Sequence, residues 1–314
     1  MRSPKLIIKT SILSLALASL LLAQEPNPPA AKPAGPTVRL SLIVTDSQDK
    51  SLNAISKDDF RLLEDKVEQT VLSVEADVRP VDLGISIDAS GSVLRYLELV
   101  IKGAKLIIIN REPKDEIFLE RFISNDKIET VQDFTSDQKL LTDAVESIYV
   151  EGGQSAVIDA IYMAVEHMAG HNRNSDRRKA LVLFTDGEDR NSYYNIENLL
   201  TLLHKEKVQI FVVGLIGDLQ DKPTSTARAG NRARAIKLLT TLAEETGGRV
   251  FFPRDNSELG QSIAQIVHDL DGQFRITYQS SNDVKKDFHN VEVKVIPPGG
   301  ENRKLIVPRG YTAP

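Results

Sequence analysis

The chain has 314 residues, of which 41% are hydrophobic and 26% charged, a composition typical of globular proteins with room for one large domain and a smaller one. The formal net charge of -5 provides no basic field of the kind that attracts nucleic acid. The sequence contains no cysteine, which excludes disulfides, thiolate metal sites, a thiol nucleophile and a lipid-modified cysteine anchor.

The N-terminal stretch has the features of an export signal followed by a tether. Three basic residues precede an apolar run that is short for a membrane span, so we predict a signal peptide over residues 1–23. An uncleaved anchor is the alternative, because Leu21 is large for its place before the cut. Residues 24–36 include the run "NPPAAKPAGP", which predicts an extended linker. Export without cysteine indicates a bacterial periplasmic or extracellular protein with no membrane span after cleavage.

Residues 37–79 form the first predicted structural segment. The stretches "VRLSLIVTD" and "EQTVLSVEAD" alternate apolar and polar residues, which predicts strands. The segment is too small for a large core of its own, so we expect it to pack on something else. Phe60 is expected to enter that shared core.

Residues 80–272 alternate between strand and helix patterns. Strands are predicted at "VDLGISID", "EIFLERFI", "IETVQDF", "KALVLFTD", "VQIFVVGL" and "RVFF". Helices are predicted at Val93–Asn110, Ser136–Val150 with Ser136 as N-cap, Ser155–Ala169, Ile196–Lys205, Arg234–Thr246, and Ser257–Leu270 with Asn256 or Ser257 as N-cap. This alternation predicts an α/β fold with a doubly wound, mostly parallel, Rossmann-like sheet.

One stretch of this region breaks the pattern. Residues 217–233 are polar and basic, carry a proline and a glycine, and predict a loop. The first interpretation is a solvated insertion. The alternative is an anion-facing loop beside a binding face.

Residues 273–314 return to strands, with "QFRITYQS", "HNVEVKVI" and "KLIVP". We predict that this segment pairs with residues 37–79 in one small β domain, into which the α/β domain is inserted. Two independent flanking units are the alternative. Tyr311 is expected to pack in the β domain.

Polar side chains follow the predicted strands of the α/β region. Asp88 ends one strand and precedes Ser90 and Ser92, Asp186 ends another, and Ser155 opens a helix after "EGGQ". Ligands of open parallel sheets bind outside the carboxyl ends of the strands. We therefore expect these five residues to lie together at one edge of the sheet.

Two carboxylates and three hydroxyls suit a hard divalent cation. Mg²⁺ prefers such oxygen ligands, and Mn²⁺ or Ca²⁺ are possible; the lack of imidazole and thiolate argues against zinc. If the carboxylates act through water, an open position can accept a carboxylate from another molecule. Gly91 and Gly187 are expected to relieve backbone crowding near the ion. The alternative is that Asp88, Ser90 and Ser92 only cap a helix.

Two other pairs of polar residues give weaker indications of a functional site. His167 and His171 are four residues apart, a spacing that can hold zinc, but no third ligand is evident and we expect a solvated surface pair. Glu188 and Asp189 predict a solvated turn beside the proposed site, or a pair that tunes its charge.

An enzyme is the second class of function considered. Asp88 at a strand end could act as the nucleophile of a magnesium-dependent phosphoryl transfer. That chemistry usually brings a second aspartate two residues on, where this chain has Ser90. The sequence also contains no Gly-x-Ser-x-Gly motif and no phosphate-binding glycine-rich loop. We therefore predict no catalysis.

The motif DxSxS, Ser155 before "AVIDAI", and Asp186-Gly187 resemble the metal-ion-dependent adhesion site of von Willebrand factor type A domains. In that family the two motif serines and a threonine contact the metal, and an aspartate at the position of Asp186 binds it directly or through water. The family pattern Gly-Thr-x-x-x-Asp places Ser155 at the threonine and Asp159 at the later aspartate. The resemblance covers residues 80–272. Asp159 is expected to orient the metal loop as a buried hydrogen-bond partner, and the alternative is that it is a metal ligand.

The flanking segments carry a second resemblance. "SKDDFRLLEDKVEQ" and the closing "VPRGYTAP" are similar to exported bacterial von Willebrand factor A-related proteins first noted in Acidobacteria. The two resemblances imply an exported, non-catalytic adhesion or interaction module whose Mg²⁺ binds a Glu or Asp of a protein partner. The alternative is a structural or assembly subunit of a cell-envelope complex with a vestigial metal site.

Overall fold

The computed structural model describes residues 35–48, 55–172, 176–219, 230–282, 287–296 and 303–313. The predicted signal peptide, nearly all of the predicted linker and residues 220–229 of the predicted loop lie outside the described residues.

Thirteen strands and six α-helices make up the described ranges. The strands are β1 (Thr37–Thr45), β2 (Phe60–Glu64), β3 (Val67–Ala76), β4 (Val81–Asp88), β5 (Glu116–Ser124), β6 (Lys127–Thr135), β7 (Arg178–Thr185), β8 (Val208–Gly214), β9 (Val250–Phe251), β10 (Gln273–Gln279), β11 (Phe288–Val295), β12 (Lys304–Ile306) and β13 (Gly310–Thr312). The helices are α1 (Leu97–Ile109), α2 (Gln138–Glu146), α3 (Val157–Gly170), α4 (Ile196–Glu206), α5 (Asn231–Thr246) and α6 (Asn256–Asp271).

The central sheet has six strands in the order β6-β5-β4-β7-β8-β9. All neighbouring strands are parallel except β6, which pairs antiparallel to β5 at the edge. Helices α1, α2 and α6 cover one face, and α3, α4 and α5 cover the other. Burial on both faces explains the continuous apolar runs of β4, β7 and β8. The mostly parallel α/β architecture is therefore confirmed.

The packing of side chains from β5 and β7 requires a glycine in β4. A Cβ added at Gly84 would lie 2.5 Å from Leu181 Cδ1 and 2.6 Å from Phe118 Cε1. The two neighbouring strands thus fill the space beside β4 with large side chains.

Several predicted helix starts are wrong. Helix α2 is capped by Asp137, not Ser136, because the Asp137 carboxylate accepts hydrogen bonds from the backbone N–H groups of Lys139 and Leu140. Asp255 caps α6 in the same way, in place of the predicted Asn256 or Ser257. The helix predicted from Val93 begins as a 3₁₀ turn over residues 91–96, and α1 follows it.

The second sheet is antiparallel and has seven strands in the order β12-β1-β10-β3-β2-β11-β13. Strands from the two ends of the chain alternate in it: β1 pairs with β10, and β2 pairs with β11. Strand β13 was not predicted, since a three-residue strand has too short a pattern to detect. Residues 35–314 form one unit by contacts, so the domain boundaries at 79 and 272 remain a prediction.

The antiparallel sheet has its own core. Phe60 and Tyr311 are both buried in it, as predicted. Ile43, in the same strand as residues of this core, is buried on the core of the parallel sheet and links the two layers.

A buried carboxylate connects both ends of the chain within this sheet. Glu64 accepts hydrogen bonds from the hydroxyls of Tyr278 at 2.6 Å, Ser280 at 2.7 Å and Tyr311 at 3.3 Å. Glu64 is 1% exposed, so these hydroxyls replace the water that the carboxylate loses on folding.

Replacement of Glu64 by alanine is expected to destabilise the protein by about 2–4 kcal/mol, because it leaves buried hydroxyls without an acceptor. Urea unfolding measures the change. The control is Glu68→Ala, which removes an exposed partner of Arg61 and should change the free energy of unfolding by less than about 1 kcal/mol. Equal losses in the two variants would contradict this role of Glu64.

Candidate metal centre

The predicted site lies at the carboxyl edge of the parallel sheet. Strands β4 and β7 are parallel neighbours, with Ile87 opposite Phe184, so they end side by side. Asp88 is the last residue of β4, and Asp186 directly follows β7. The loop that carries Ser155 is fixed beside them, because the backbone N–H of Glu151 donates to the carbonyl of Ala89 at 2.9 Å.

Hydrogen bonds bring most of the predicted residues together around Asp88. Asp88 Oδ2 accepts from Ser155 Oγ at 3.0 Å, and Asp88 Oδ1 accepts from the backbone N–H of Ser90 at 3.0 Å. The hydroxyls of Ser90 and Ser92 lie 3.1 Å apart. Asp88, Ser90 and Ser155 are buried, whereas Ser92 is exposed. The cluster is therefore open to solvent on the side of Ser92.

These serines do not serve as helix caps. Ser90 precedes the 3₁₀ turn, but its side chain makes no capping hydrogen bond. Ser155 does not open a helix as predicted: α3 begins at Val157, and its N-cap position, Ala156, has no side-chain donor or acceptor. The hydroxyls face the carboxylate of Asp88 or each other instead.

The two aspartates are buried close to each other. Burial raises the pKa of Asp88 to about 6, and repulsion from Asp186 adds to the shift against the opposing hydrogen bonds of Ser90 and Thr185. Burial also raises the pKa of Asp186, and the Glu188 N–H and the nearby Ser92 hydroxyl oppose that shift.

One oxygen of this pair lacks a partner. Asp186 Oδ1 accepts from the Glu188 N–H at 2.9 Å, but Asp186 Oδ2 is buried and has no hydrogen-bond partner within the described ranges. A buried, unpaired carboxylate oxygen is costly. A cation at this position would offset that cost.

Asp159 orients the loop that follows Asp186. Its carboxylate accepts hydrogen bonds from the backbone N–H groups of Tyr193 at 2.7 Å and Tyr194 at 2.9 Å. In the same loop, Asp189 accepts from the Ile158 N–H at 3.2 Å, which ties the loop to the start of α3. Asp159 is thus a loop anchor in the described structure.

Three sequence-based expectations for the loops at this edge have mixed outcomes. The solvated turn at Glu188 and Asp189 is wrong, because both are half-buried and Glu188 bonds Arg190 and Asn231. Gly187 has φ +75°, and a Cβ there would lie 2.8 Å from a Leu239 carbon, so a glycine is required. Gly91 relieves no crowding, because no atom lies within 4 Å of its added Cβ.

Sequence reasoning missed Thr185. This buried last residue of β7 donates to Asp88 Oδ2 at 2.7 Å and accepts from the Gly187 N–H at 3.0 Å. It therefore holds the carboxylate of Asp88 and the start of the Asp186 loop in one geometry. The signal that could have revealed it is a hydroxyl directly before Asp-Gly at a strand end.

His167 and His171 do not share a ligand. His167 bonds Asp133 at 2.9 Å and His171 bonds Glu116 at 3.1 Å. The His171 ring stacks on Phe134 with centroids 3.8 Å apart. The predicted solvated pair is instead a half-buried part of an aromatic stack.

A family model for the von Willebrand factor type A domain matches residues 82–265, more than half of the chain. The chain belongs to the von Willebrand factor type A family. No curated protein matches the chain. The matched range of this von Willebrand factor A domain runs from β4 into α6 and includes every predicted metal-site residue.

Similar solved structures include three bacterial proteins. They are a von Willebrand factor type A protein from Catenulispora acidiphila (12% identity, 89% of this chain and 74% of that chain, TM-score 0.49), the conserved hypothetical protein BatB from Bacteroides thetaiotaomicron (18%, 59% and 97%, 0.46), and the von Willebrand factor domain of the type V pili tip protein Mfa5 from Porphyromonas gingivalis (13%, 62% and 96%, 0.47). Among the helices of the described ranges, none is long and apolar enough to cross a membrane.

The raised pKa of Asp88 predicts that Asp88→Asn increases the free energy of unfolding of the metal-free protein, by an amount that depends on pH. Because the folded pKa of about 6 exceeds the ordinary 3.8, ionisation of Asp88 lowers stability as pH rises through that interval. At neutral pH the variant should exceed the wild type by on the order of 2–3 kcal/mol, and the gap should close as pH falls below about 4. Urea unfolding across pH measures both.

Asp126→Asn is the control, because the Ser124 hydroxyl lowers the pKa of this exposed carboxylate and the effect should have the opposite sign. A less stable Asp88→Asn variant at every pH would show that Asp88 acts only as a hydrogen-bond acceptor.

Proposed function

We propose that this protein is an exported, metal-dependent protein-binding module whose Mg²⁺ binds a Glu or Asp side chain of a partner. The observation that carries the proposal is the buried, unpartnered Asp186 Oδ2 near a second buried carboxylate, Asp88. Two such carboxylates and a set of hydroxyls, one of them open to solvent, are the donors that a hard divalent cation uses.

The residues present fit a magnesium ion. Ser90, Ser92 and Ser155 would supply neutral hydroxyl oxygens, and Asp88 and Asp186 would supply the negative charge, directly or through water. Mn²⁺ and Ca²⁺ accept the same ligand types. When bound, the ion supplies positive charge and a coordination position that a partner carboxylate can fill.

The protein's own residues prepare this site. Thr185 and Ser155 hold Asp88 Oδ2, so the carboxylate keeps one orientation whether or not a partner is present. Asp159 holds the neighbouring loop through two backbone N–H groups. The exposed side of the cluster, at Ser92, is where a partner side chain would approach.

We propose binding without a catalytic step. Asp88 accepts from the Ser155 and Thr185 hydroxyls and from the Ser90 N–H, which keeps its oxygens directed at the protein rather than at a substrate. Its environment thus favours a role in ion binding over attack as a nucleophile. Export follows from the predicted signal peptide and from the resemblance of the flanking segments.

Isothermal titration of Mg²⁺ and Mn²⁺ into the protein tests the metal site. We expect saturable binding at one site, weakened at least about tenfold in Ser155→Ala and Asp186→Asn because each loses an oxygen ligand or its charge. Ser124→Ala is the matched control: this serine ends β5 at the same sheet edge, but its hydroxyl donates to Asp126. Equal affinity in all variants would place the ion elsewhere.

A carboxylate probe tests the partner chemistry. Glutarate, a mimic of a Glu side chain, should raise the apparent affinity for Mn²⁺ severalfold, since ligand and metal affinities are reciprocally linked. Glutaramide, which has no charge, should have no effect. Metal binding that is indifferent to glutarate would favour a stabilising ion in an assembly subunit over an adhesion site.

A further inference from the structure

A cleft between the two sheets lies at the opposite end of the parallel strands from the metal centre. It is lined by residues 36–41 at the start of β1, by Arg178 and Lys179 at the start of β7, and by Leu203, His204, Glu206 and Lys207 around the end of α4. Its volume is about 510 Å³, within the range of pockets that hold small molecules.

The charges that line this cleft do not balance. The acids are Asp82, Asp176 and Glu206, and the cations are Arg39, Arg79, Arg177, Arg178, Lys179 and Lys207. Each acid already has a cation: Arg177 bonds Asp82 at 2.5 Å, Arg79 bonds Asp176 at 2.8 Å, and Lys179 bonds Glu206 at 3.1 Å. Arg39, Arg178 and Lys207 remain.

None of these three cations has an ion-pair partner among the described residues. Arg178 is buried and donates only to carbonyl oxygens, that of Leu270 at 2.6 Å and that of Arg79 at 3.3 Å. Asp77 attracts Arg178 at longer range but is itself bonded to Arg79. The side chains of Arg39 and Lys207 make no hydrogen bond within the same ranges.

The surroundings of Lys207 show the same imbalance. The Lys207 side chain reaches solvent, yet the protein packed around its ammonium lowers its pKa, and Arg79 and Arg39 lower it further by repulsion. Lys207 therefore lies close to other positive charges at the wall of the cleft.

We propose that this cleft binds a small multivalent anion of phosphate or carboxylate chemistry between Arg39, Arg178 and Lys207. Guanidinium and ammonium groups form their strongest hydrogen bonds with such anions, and a planar guanidinium can bind two oxygens at once. An anion with two or three charges would balance the cations that the protein leaves without a partner. The site is separate from the metal centre, so it can be tested without divalent metal.

The test is a titration of pyrophosphate and of citrate into the protein, followed by calorimetry and thermal unfolding. Metal is removed with a chelating resin, because EDTA is itself a polyanion. We expect saturable binding of at least one anion with a rise in Tm, against sodium chloride at equal ionic strength. The two anions distinguish phosphate from carboxylate chemistry.

Arg39→Gln and Lys207→Gln locate the site. Both residues are exposed and without partners, so the variants should fold, and the Tm of the anion-free proteins checks this. Each should weaken binding at least tenfold, whereas Lys205→Gln, an exposed cation at the same end of α4 but outside the cleft, should bind as the wild type does. No binding of either anion, or equal binding by all variants, would overturn the proposal.

Discussion

The burial of Asp88 and Asp186 at the ends of two neighbouring parallel strands is the constraint on which the functional edge of the molecule depends. Strands β4 and β7 are parallel neighbours that are covered by helices on both faces. The residues that end them therefore lie together at one edge of the sheet. Three donors satisfy Asp88, but the Asp186 Oδ2 atom keeps no partner in the described ranges. The metal-free fold therefore retains excess negative charge that a cation would neutralise.

Hydrogen bonds from the neighbouring loops hold the carboxylates of Asp88 and Asp186 in position. Asp159 and Asp189 fasten the loop after β7 to the start of α3, and Gly187 permits the close approach of that loop to α5. Thr185 connects the loop to Asp88. A shell of this kind would let the proposed site bind an ion with little reorganisation, which favours affinity.

The antiparallel sheet adds a second, differently charged surface. It joins strands from both ends of the chain around Glu64, and Ile43 packs it onto the core of the parallel sheet. The cleft between the sheets carries unbalanced positive charge, whereas the carboxyl edge of the parallel sheet carries unbalanced negative charge. The two ends of the parallel strands thus favour ligands of opposite sign.

The sequence was sufficient for the parallel sheet and for the residues that gather at its edge. Strands buried on both faces leave continuous apolar runs, and polar residues directly after such runs must lie at the sheet edge. Asp88, Ser90 and Ser155 are joined there by hydrogen bonds, in agreement with the expectation that they lie at one sheet edge. Metal binding by these residues stays a prediction.

Other features depend on geometry that a linear pattern does not contain. Asp137 rather than Ser136 caps α2, because the cap is decided by which side chain reaches the first free N–H groups. Thr185 was missed, since its role comes from facing Asp88 across neighbouring strands. The sequence does not show which cations of the cleft lack a partner, because ion pairs such as that of Glu206 with Lys179 depend on the three-dimensional fold.

The most direct test of the central claim is anomalous diffraction from crystals of this protein grown with Mn²⁺. The account predicts a single strong anomalous peak within bonding distance of at least two of the Ser90, Ser92 and Ser155 hydroxyls, with Asp88 and Asp186 bound directly or through water. A peak only at another site, such as the cluster of Glu64, Asp65 and His289, or no peak at saturating Mn²⁺, would contradict it.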